Sequence, residues 1–146
     1  MRSGRRLGFD VGQARTGVAV SSHDGIFASP IGNIANPEAA LALVAEYSPI
    51  ELYVGLPLSL AGNNTKSTEN ALDFASKLAE LTNLNVLMID ERLTTSTAQS
   101  LLRSAGKNAK KAKSSIDAAA ATLILEQALS LERAGNVPGK RIEECK

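Results

Sequence analysis

The sequence predicts an α/β fold: a mixed five-stranded sheet, built from a three-strand antiparallel meander and two parallel strands, flanked by helices. Two observations carry that expectation. Near the N-terminus, apolar residues recur with a period of two in two closely spaced segments, at Leu7, Phe9 and Val11 and again at Val18 and Val20. Beyond residue 50, short apolar runs alternate with stretches whose apolar residues fall on one helical face, the rhythm of strands covered on both sides by helices.

The elements follow in order. Arg6–Val11 is a strand in which Gly8 and Asp10 alternate with the apolar set. A turn at Gly12–Arg15 leads to a second strand, Thr16–Ser21, and the short spacing implies a hairpin. After His23-Asp24-Gly25, Ile26–Ile34 is a third strand, which Pro30 pushes to a sheet edge. Asn36 caps a helix with Pro37 in its first position and Leu41, Val44 and Ala45 on its apolar stripe. Glu51–Leu56 is a buried strand ended by Pro57, and Ser59–Thr65 is a polar loop. Helices are expected at Ser67–Leu81, Thr94–Ala105 and Ser115–Ala134, with a further buried strand at Asn85–Asp90.

A length of 146 residues gives one domain at roughly 150 residues per domain, placed over 1–135, with 136–146 as a loose C-terminal tail. Apolar residues make up 44% of the chain, enough for a core, and a formal charge of +1 excludes a bulk polycation. The lone Cys145 has no internal disulfide partner, which argues against a disulfide-stapled secreted scaffold. The longest apolar run, Ala118–Leu125, is interrupted by Thr122 and is far below the roughly 20 residues of a membrane span. Arg2, Arg5 and Arg6 are not followed by the apolar core of a signal peptide. A cytoplasmic protein without a membrane partner is the expectation.

Three acids carry the candidate chemistry. Asp10 is a carboxylate inside an apolar strand, and its same-face neighbours Gly8 and Gly12 leave a bare floor open to a ligand. An ion pair with Arg15 or Arg6 is the structural alternative. Asp90 and Glu91 end a parallel strand where open α/β sheets bind ligands, and alternation lets only one of them join Asp10. Asp117 fits the Ser-x-x-Asp helix-start pattern as a cap, but the small residues Ala118–Ala121 behind it would let its helix approach the sheet closely. Converging carboxylates repel one another, and a hard divalent cation, Mg²⁺ or Mn²⁺, relieves that repulsion. Such ions activate water and stabilise a leaving oxygen in phosphodiester cleavage. His23, alone in a turn, and Cys145, in the tail, are not candidates.

Charge distribution supplies a partner. Between Arg92 and Ile116 the basic residues Arg92, Arg103, Lys107, Lys110, Lys111 and Lys113 are accompanied by no acidic one. Lys107–Ser115 reads as a flexible basic loop suited to a phosphate backbone. Aromatic residues are only 3%, so backbone and shape readout are favoured over base stacking.

Four blocks together resemble the YqgF family, also called RuvX: Leu7-Gly-Phe-Asp-Val-Gly-Gln-Ala-Arg-Thr-Gly-Val-Ala-Val20, Tyr53-Val-Gly-Leu-Pro-Leu58, Ile89-Asp-Glu-Arg-Leu-Thr-Thr95 and Ser115-Ile-Asp-Ala-Ala-Ala-Ala-Thr-Leu-Ile-Leu125. The resemblance covers nearly the whole chain, and Asp-Glu-Arg-Leu-Thr-Thr is its most specific piece. It implies a ribonuclease H-like fold and a divalent-metal endonuclease acting on structured RNA in 5′-end maturation of the 16S rRNA precursor. It also implies that Asp10, Glu91 and Asp117 are the catalytic, metal-holding acids, and it selects Glu91 over Asp90. Arg15 and the basic block are expected to bind nucleic acid. The rRNA precursor is the favoured partner, with branched DNA as the alternative, ribosomal particles as a further partner, and a monomer or homodimer as the assembly. Two positions depart from the pattern: Ser59-Leu60-Ala61-Gly62 lacks the acid often found before that glycine, and an acid usually close behind the second strand is displaced to Asp24.

Three rival activities share these features. A DNA junction resolvase would use the same acids. Asp10-x-Gly12-x₄-Gly17 also resembles the first phosphate loop of sugar kinases and actin-like ATPases, which need two such lobes around a nucleotide. A non-catalytic RNA-binding assembly factor would keep the fold and the basic segment alone.

Overall fold

Alternation in the N-terminal segment resolves into β1 (Arg6–Val11), β2 (Thr16–Ser21) and β3 (Ala28–Ile34), paired antiparallel in sequence. The computed structural model describes residues 2–93 and 109–146, with residues 93 and 109–117 by their backbone alone. Asn36 Oδ1 accepts the Ala39 N–H at 3.0 Å, starting a 3₁₀ turn at Pro37–Ala39 that runs into α1 (Ala40–Tyr47). Then come β4 (Glu51–Leu56), α2 (Lys66–Thr82) and β5 (Val86–Asp90), followed by a 3₁₀ turn at Glu91–Leu93. The long helix α3 spans Ala109–Arg133. The helix expected at Thr94–Ala105 lies outside the described residues.

The sheet order is β3-β2-β1-β4-β5-β6, with β4 and β5 parallel to β1. Strand alternation divides the core. Leu7, Phe9, Leu52, Val54, Leu56 and Met88 face α2, meeting Ala71, Leu72, Phe74, Ala75 and Leu78. Tyr53, Leu87 and Ile89 face α3, meeting Ala121, Ile124, Leu125, Ala128 and Leu129. β3, which contains Pro30, is an edge strand as the proline requires.

Two expectations are corrected. The sheet has six strands rather than five, because Lys140–Arg141 (β6) pairs antiparallel with β5 and α4 (Ile142–Cys145) packs Ile142 and Cys145 against the core. The stretch after Gly135 is therefore not a loose tail. Gly139 permits the pairing, since a Cβ there would stand 2.6 Å from the Met88 carbonyl oxygen. A two-residue strand after Pro138 and Gly139 has no period to read. Second, the expected basic loop at Lys107–Ser115 is helical from Ala109 onward, so that α3 begins well before Ser115.

The amino ends of β1 and β4 are held by a polar network. Arg6, fully buried, donates to the Arg2 and Gly4 carbonyls at 2.9 and 2.8 Å and pairs with Glu132 near the end of α3. Glu51 accepts from Arg2 at 2.6 Å, from the Tyr53 hydroxyl at 2.7 Å and from Asn85 Nδ2 at 2.7 Å. These contacts orient α3 antiparallel to β1, with its carboxyl end beside Arg6. Among the described residues, no helix is long and apolar enough to cross a membrane.

Candidate active site

β1, β4 and β5 run parallel, so their carboxyl ends open along one edge. Asp10 lies one residue before the end of β1, opposite Gly17 of β2. β5 ends at Asp90, and the chain then tightens into the 3₁₀ turn that begins at Glu91. Adjacent in sequence, these two acids go to different places.

Glu91 turns to the α3 side of the sheet and hydrogen-bonds with Asp10. Its carboxyl is raised far above the usual carboxylate range, first by burial, then by the hydrogen bond to Asp10, then by the charges of Asp10 and Asp90. The two carboxyls thus share a hydrogen bond, and Glu91 is held toward its neutral form by burial and by Asp10. Gly55 is the floor beneath it: a Cβ there would fall 2.8 Å from the Glu91 carboxyl carbon and 2.6 Å from Ile124 Cδ1.

Asp90 points the other way, sharing its face with Leu56, its register partner. Arg92 holds it by Nη2 at 2.6 Å, by Nε at 3.0 Å and by its backbone N–H at 2.9 Å. The Arg92 hydrogen bonds keep the Asp90 carboxyl below its ordinary range against a smaller effect of burial, and the charge of Lys140 assists. One acid is neutralised by a guanidinium. The other faces a carboxylate.

Two readings of glycine change. Gly8 is not an open floor, because α3 covers it: a Cβ there would stand 2.9 Å from Leu125 Cβ and 3.0 Å from the Ala121 carbonyl oxygen. Gly12 serves its turn, donating its N–H to the Arg15 carbonyl at 3.0 Å where a Cβ would meet the same oxygen at 2.6 Å. The glycine that makes room for an acid is Gly55, which the sequence reading passed over. An isolated glycine inside a fully buried apolar strand was the available signal.

Arg6, offered as a structural partner for Asp10, is engaged at the opposite end of β1. Asp117 has its backbone on α3, one turn before Ala121, and its side chain lies outside the described residues. Of the expected nucleic-acid contacts, Arg15 is half-buried in the β1–β2 turn and Arg92 sits beside Glu91. Lys110, Lys111 and Lys113 have their backbone in the first turns of α3, while Arg103 and Lys107 lie outside the described residues.

Among the described residues, no group of three metal-ligating side chains forms. The pair that does form fits a hard cation: two carboxyls hydrogen-bonded together, where burial and the charge of Asp10 both disfavour ionised Glu91. A larger cavity of about 680 Å³ lies at the opposite edge, lined by Arg2, Glu51, Asn85 and Glu132. Its charges are matched within the network described above, which leaves the acid pair as the candidate site.

A family model described as RuvX, Holliday junction resolvase, matches residues 4–131. Among curated proteins, a candidate pre-16S rRNA nuclease of Clavibacter sepedonicus is 44% identical over 147 residues, covering 95% of this chain and 91% of its own. A protein of the same name from Streptomyces coelicolor is 45% identical over 151 residues, covering 98% and 90%. Among solved structures, Thermus thermophilus RuvC in complex with a Holliday junction substrate superposes with a TM-score of 0.60 at 14% identity, over 92% of this chain and 98% of that one. At that identity the likeness shows the fold alone, the ribonuclease H-like arrangement expected from the sequence.

Proposed function

The chain belongs to the RuvX family, and on that premise we propose that it is a metal-dependent endonuclease. It hydrolyses phosphodiester bonds in structured RNA during 5′-end maturation of the 16S rRNA precursor, in the cytoplasm. The observation that carries this reading is the Asp10–Glu91 pair seated over Gly55 at the carboxyl edge of the sheet.

Asp10, Glu91 and Asp117 are the acids that hold Mg²⁺ or Mn²⁺. The course of α3 supports the third. Its carboxyl end meets Arg6, and Leu125 and Ala121 lie over Gly8. Continued by one turn, the same antiparallel course takes residue 117 toward the level of Asp10. When bound, the cation activates water and stabilises the departing oxygen. The chain's own residues do the rest: Gly55 leaves space for Glu91, Asp90 fixes Arg92, and Arg15, Arg92, Arg103, Lys107, Lys110, Lys111 and Lys113 meet the phosphate backbone. Water supplies the new P–O bond and the ester oxygen leaves with the proton.

The test is cleavage of a precursor fragment spanning the 16S 5′ boundary, with Mg²⁺ or Mn²⁺ present, by the native chain and by Asp10→Asn. Cleavage by the native chain alone, with binding retained in both, is the expected result. Wild-type cleavage by Asp10→Asn would overturn the reading. Faster cutting of a four-way DNA junction by the same preparation would transfer it from RNA to DNA.

A further inference from the structure

The loop after β4 is a braced hairpin rather than a slack connection. The Gly62 N–H donates to the Ser59 carbonyl at 2.8 Å, the Ser59 N–H to the Asn63 carbonyl at 3.0 Å, and the Asn63 N–H to Ser59 Oγ at 3.0 Å. Leu58 and Asn64 bridge below the turn. Gly62 takes a φ of +85°, which closes the turn at little steric cost. Three neighbours hold the hairpin from outside. Thr68 Oγ1 donates to the Pro57 carbonyl, Asn64 Nδ2 donates to the Cys145 carbonyl at 3.0 Å, and the Arg92 guanidinium lies against Gly62, with Nη1 3.1 Å from where a Cβ would stand.

This frame presents one large apolar side chain to solvent. Leu60, at the tip, is 98% exposed, while the residues around it, Ser59, Ala61, Asn63 and Asn64, are small or polar. Leu60 also lines a cavity of about 200 Å³ together with Pro57, Leu58, Arg92 and Glu91. The cavity thus joins an apolar wall, a guanidinium and one member of the acid pair. The cavity borders Glu91, so it adjoins the place where a phosphodiester would meet the acid pair. Apolar side chains that enter a base step from a rigid support unstack it, and a displaced base is received by apolar contact and by a guanidinium plane.

We propose that Leu60 is a wedge that enters the nucleic-acid substrate beside the scissile phosphate, opening one base step and seating the displaced base against Pro57, Leu58 and Arg92. Leu60 is thereby a positioning residue for the cleaved strand. The inference rests on the nuclease reading above, and it gives structured substrates a reason to be cut at steps that open easily.

The test uses the full chain and a stem-loop RNA carrying 2-aminopurine at successive positions around its cleavage site. In an Asp10→Asn background with Mg²⁺, binding raises 2-aminopurine fluorescence at one position. Leu60→Ser abolishes the rise and Leu60→Met restores it. In the active chain, Leu60→Ser lowers kcat/KM by roughly tenfold, and Leu60→Met recovers it. The melting temperature is unchanged in both variants, because the side chain touches little. Equal fluorescence and equal kcat/KM for Leu60→Ser and the native chain overturn the wedge while leaving the nuclease reading intact. A fluorescence rise that depends on Leu60 without any cleavage supports the wedge and overturns the nuclease. Absence of binding by the native chain overturns both.

Discussion

The carboxyl carbon of Glu91 lies 2.8 Å from the point at which a Cβ on Gly55 would stand. No substituent fits there without moving the acid or Ile124, whose Cδ1 is 2.6 Å from the same point. Gly55→Ala should therefore separate Glu91 from Asp10. The overpacking costs about 1–3 kcal/mol of stability. Cleavage should fall by roughly two orders of magnitude, as for loss of a preorganised electrostatic group. Steady-state cleavage beside a thermal melt checks it, and wild-type turnover in a folded Gly55→Ala would show that Glu91 need not stay where it is.

The two consecutive acids should respond unequally to neutralisation. Glu91→Gln replaces an ionisable carboxyl of the acid pair with a neutral amide and should cost roughly two to three orders of magnitude in cleavage. Asp90→Asn loosens Arg92, held by Nη2 at 2.6 Å, and through it the braced hairpin against Gly62. That loss should stay near tenfold and appear mainly in KM, since Asp90 does not face Asp10. Parallel kinetics on the two variants decide it. A larger loss for Asp90→Asn would reverse the assignment.

Gly8→Ala tests the packing of the long helix. The added carbon would press on Leu125 Cβ at 2.9 Å and on the Ala121 carbonyl oxygen at 3.0 Å, so α3 itself must shift. A loss of about 1–3 kcal/mol is expected, with a melting temperature lower by about 2–4 °C for each of those. Cleavage should fall too, because residue 117 moves with the helix. An unchanged melting temperature would mean that α3 does not need the close approach.

That glycine also shows how far the sequence can be read. Alternation in Leu7–Val11 places Gly8 and Asp10 on one face, and the structure agrees, yet alternation is silent on what covers the face. The same limit applies at Asp90 and Glu91. Period two says that they diverge, and the resemblance selects Glu91, but the reason is a 3₁₀ turn and an Arg92 pair that no spacing announces. Among the described residues, the strands with strong alternation and the helices with apolar stripes were legible. The Lys140–Arg141 strand was not, since its pairing depends on backbone access at Gly139 rather than on any side-chain pattern.

Glu51 gives stability a pH dependence of defined sign. Burial raises its carboxyl, but hydrogen bonds from Arg2, Tyr53 and Asn85 outweigh burial, so the folded-state pKa lies below the ordinary value. A group depressed in this way stabilises the fold fully above its unfolded pKa, about 4.3, and loses that contribution as pH falls through the folded value. Glu51→Gln should therefore be less stable than the native chain at neutral pH, by about 1–3 kcal/mol. The gap should narrow on acidification below about pH 4.3. Denaturant melts from pH 7 to pH 3 measure it, and a gap of constant size would show that the charge of Glu51 contributes nothing.

Lys110, Lys111 and Lys113 begin a helix instead of filling a loop, which alters the reason they matter without altering the expected sign. Cations in the first turns of a helix oppose its dipole, so the helix gains nothing from them by itself. A phosphate placed near those turns reverses the balance, meeting the lysine charges at the positive end of the helix dipole. Replacing the three lysines by glutamine should weaken binding of the precursor fragment and flatten the slope of log affinity against log salt by up to ~3, about one unit for each lost phosphate contact. Helix propensities of lysine and glutamine are close, so the fold should hold and the slope should report charge alone. Titrations of Asp10→Asn with and without the three replacements, at several salt concentrations, provide the measurement. An identical slope would return these lysines to plain solvation.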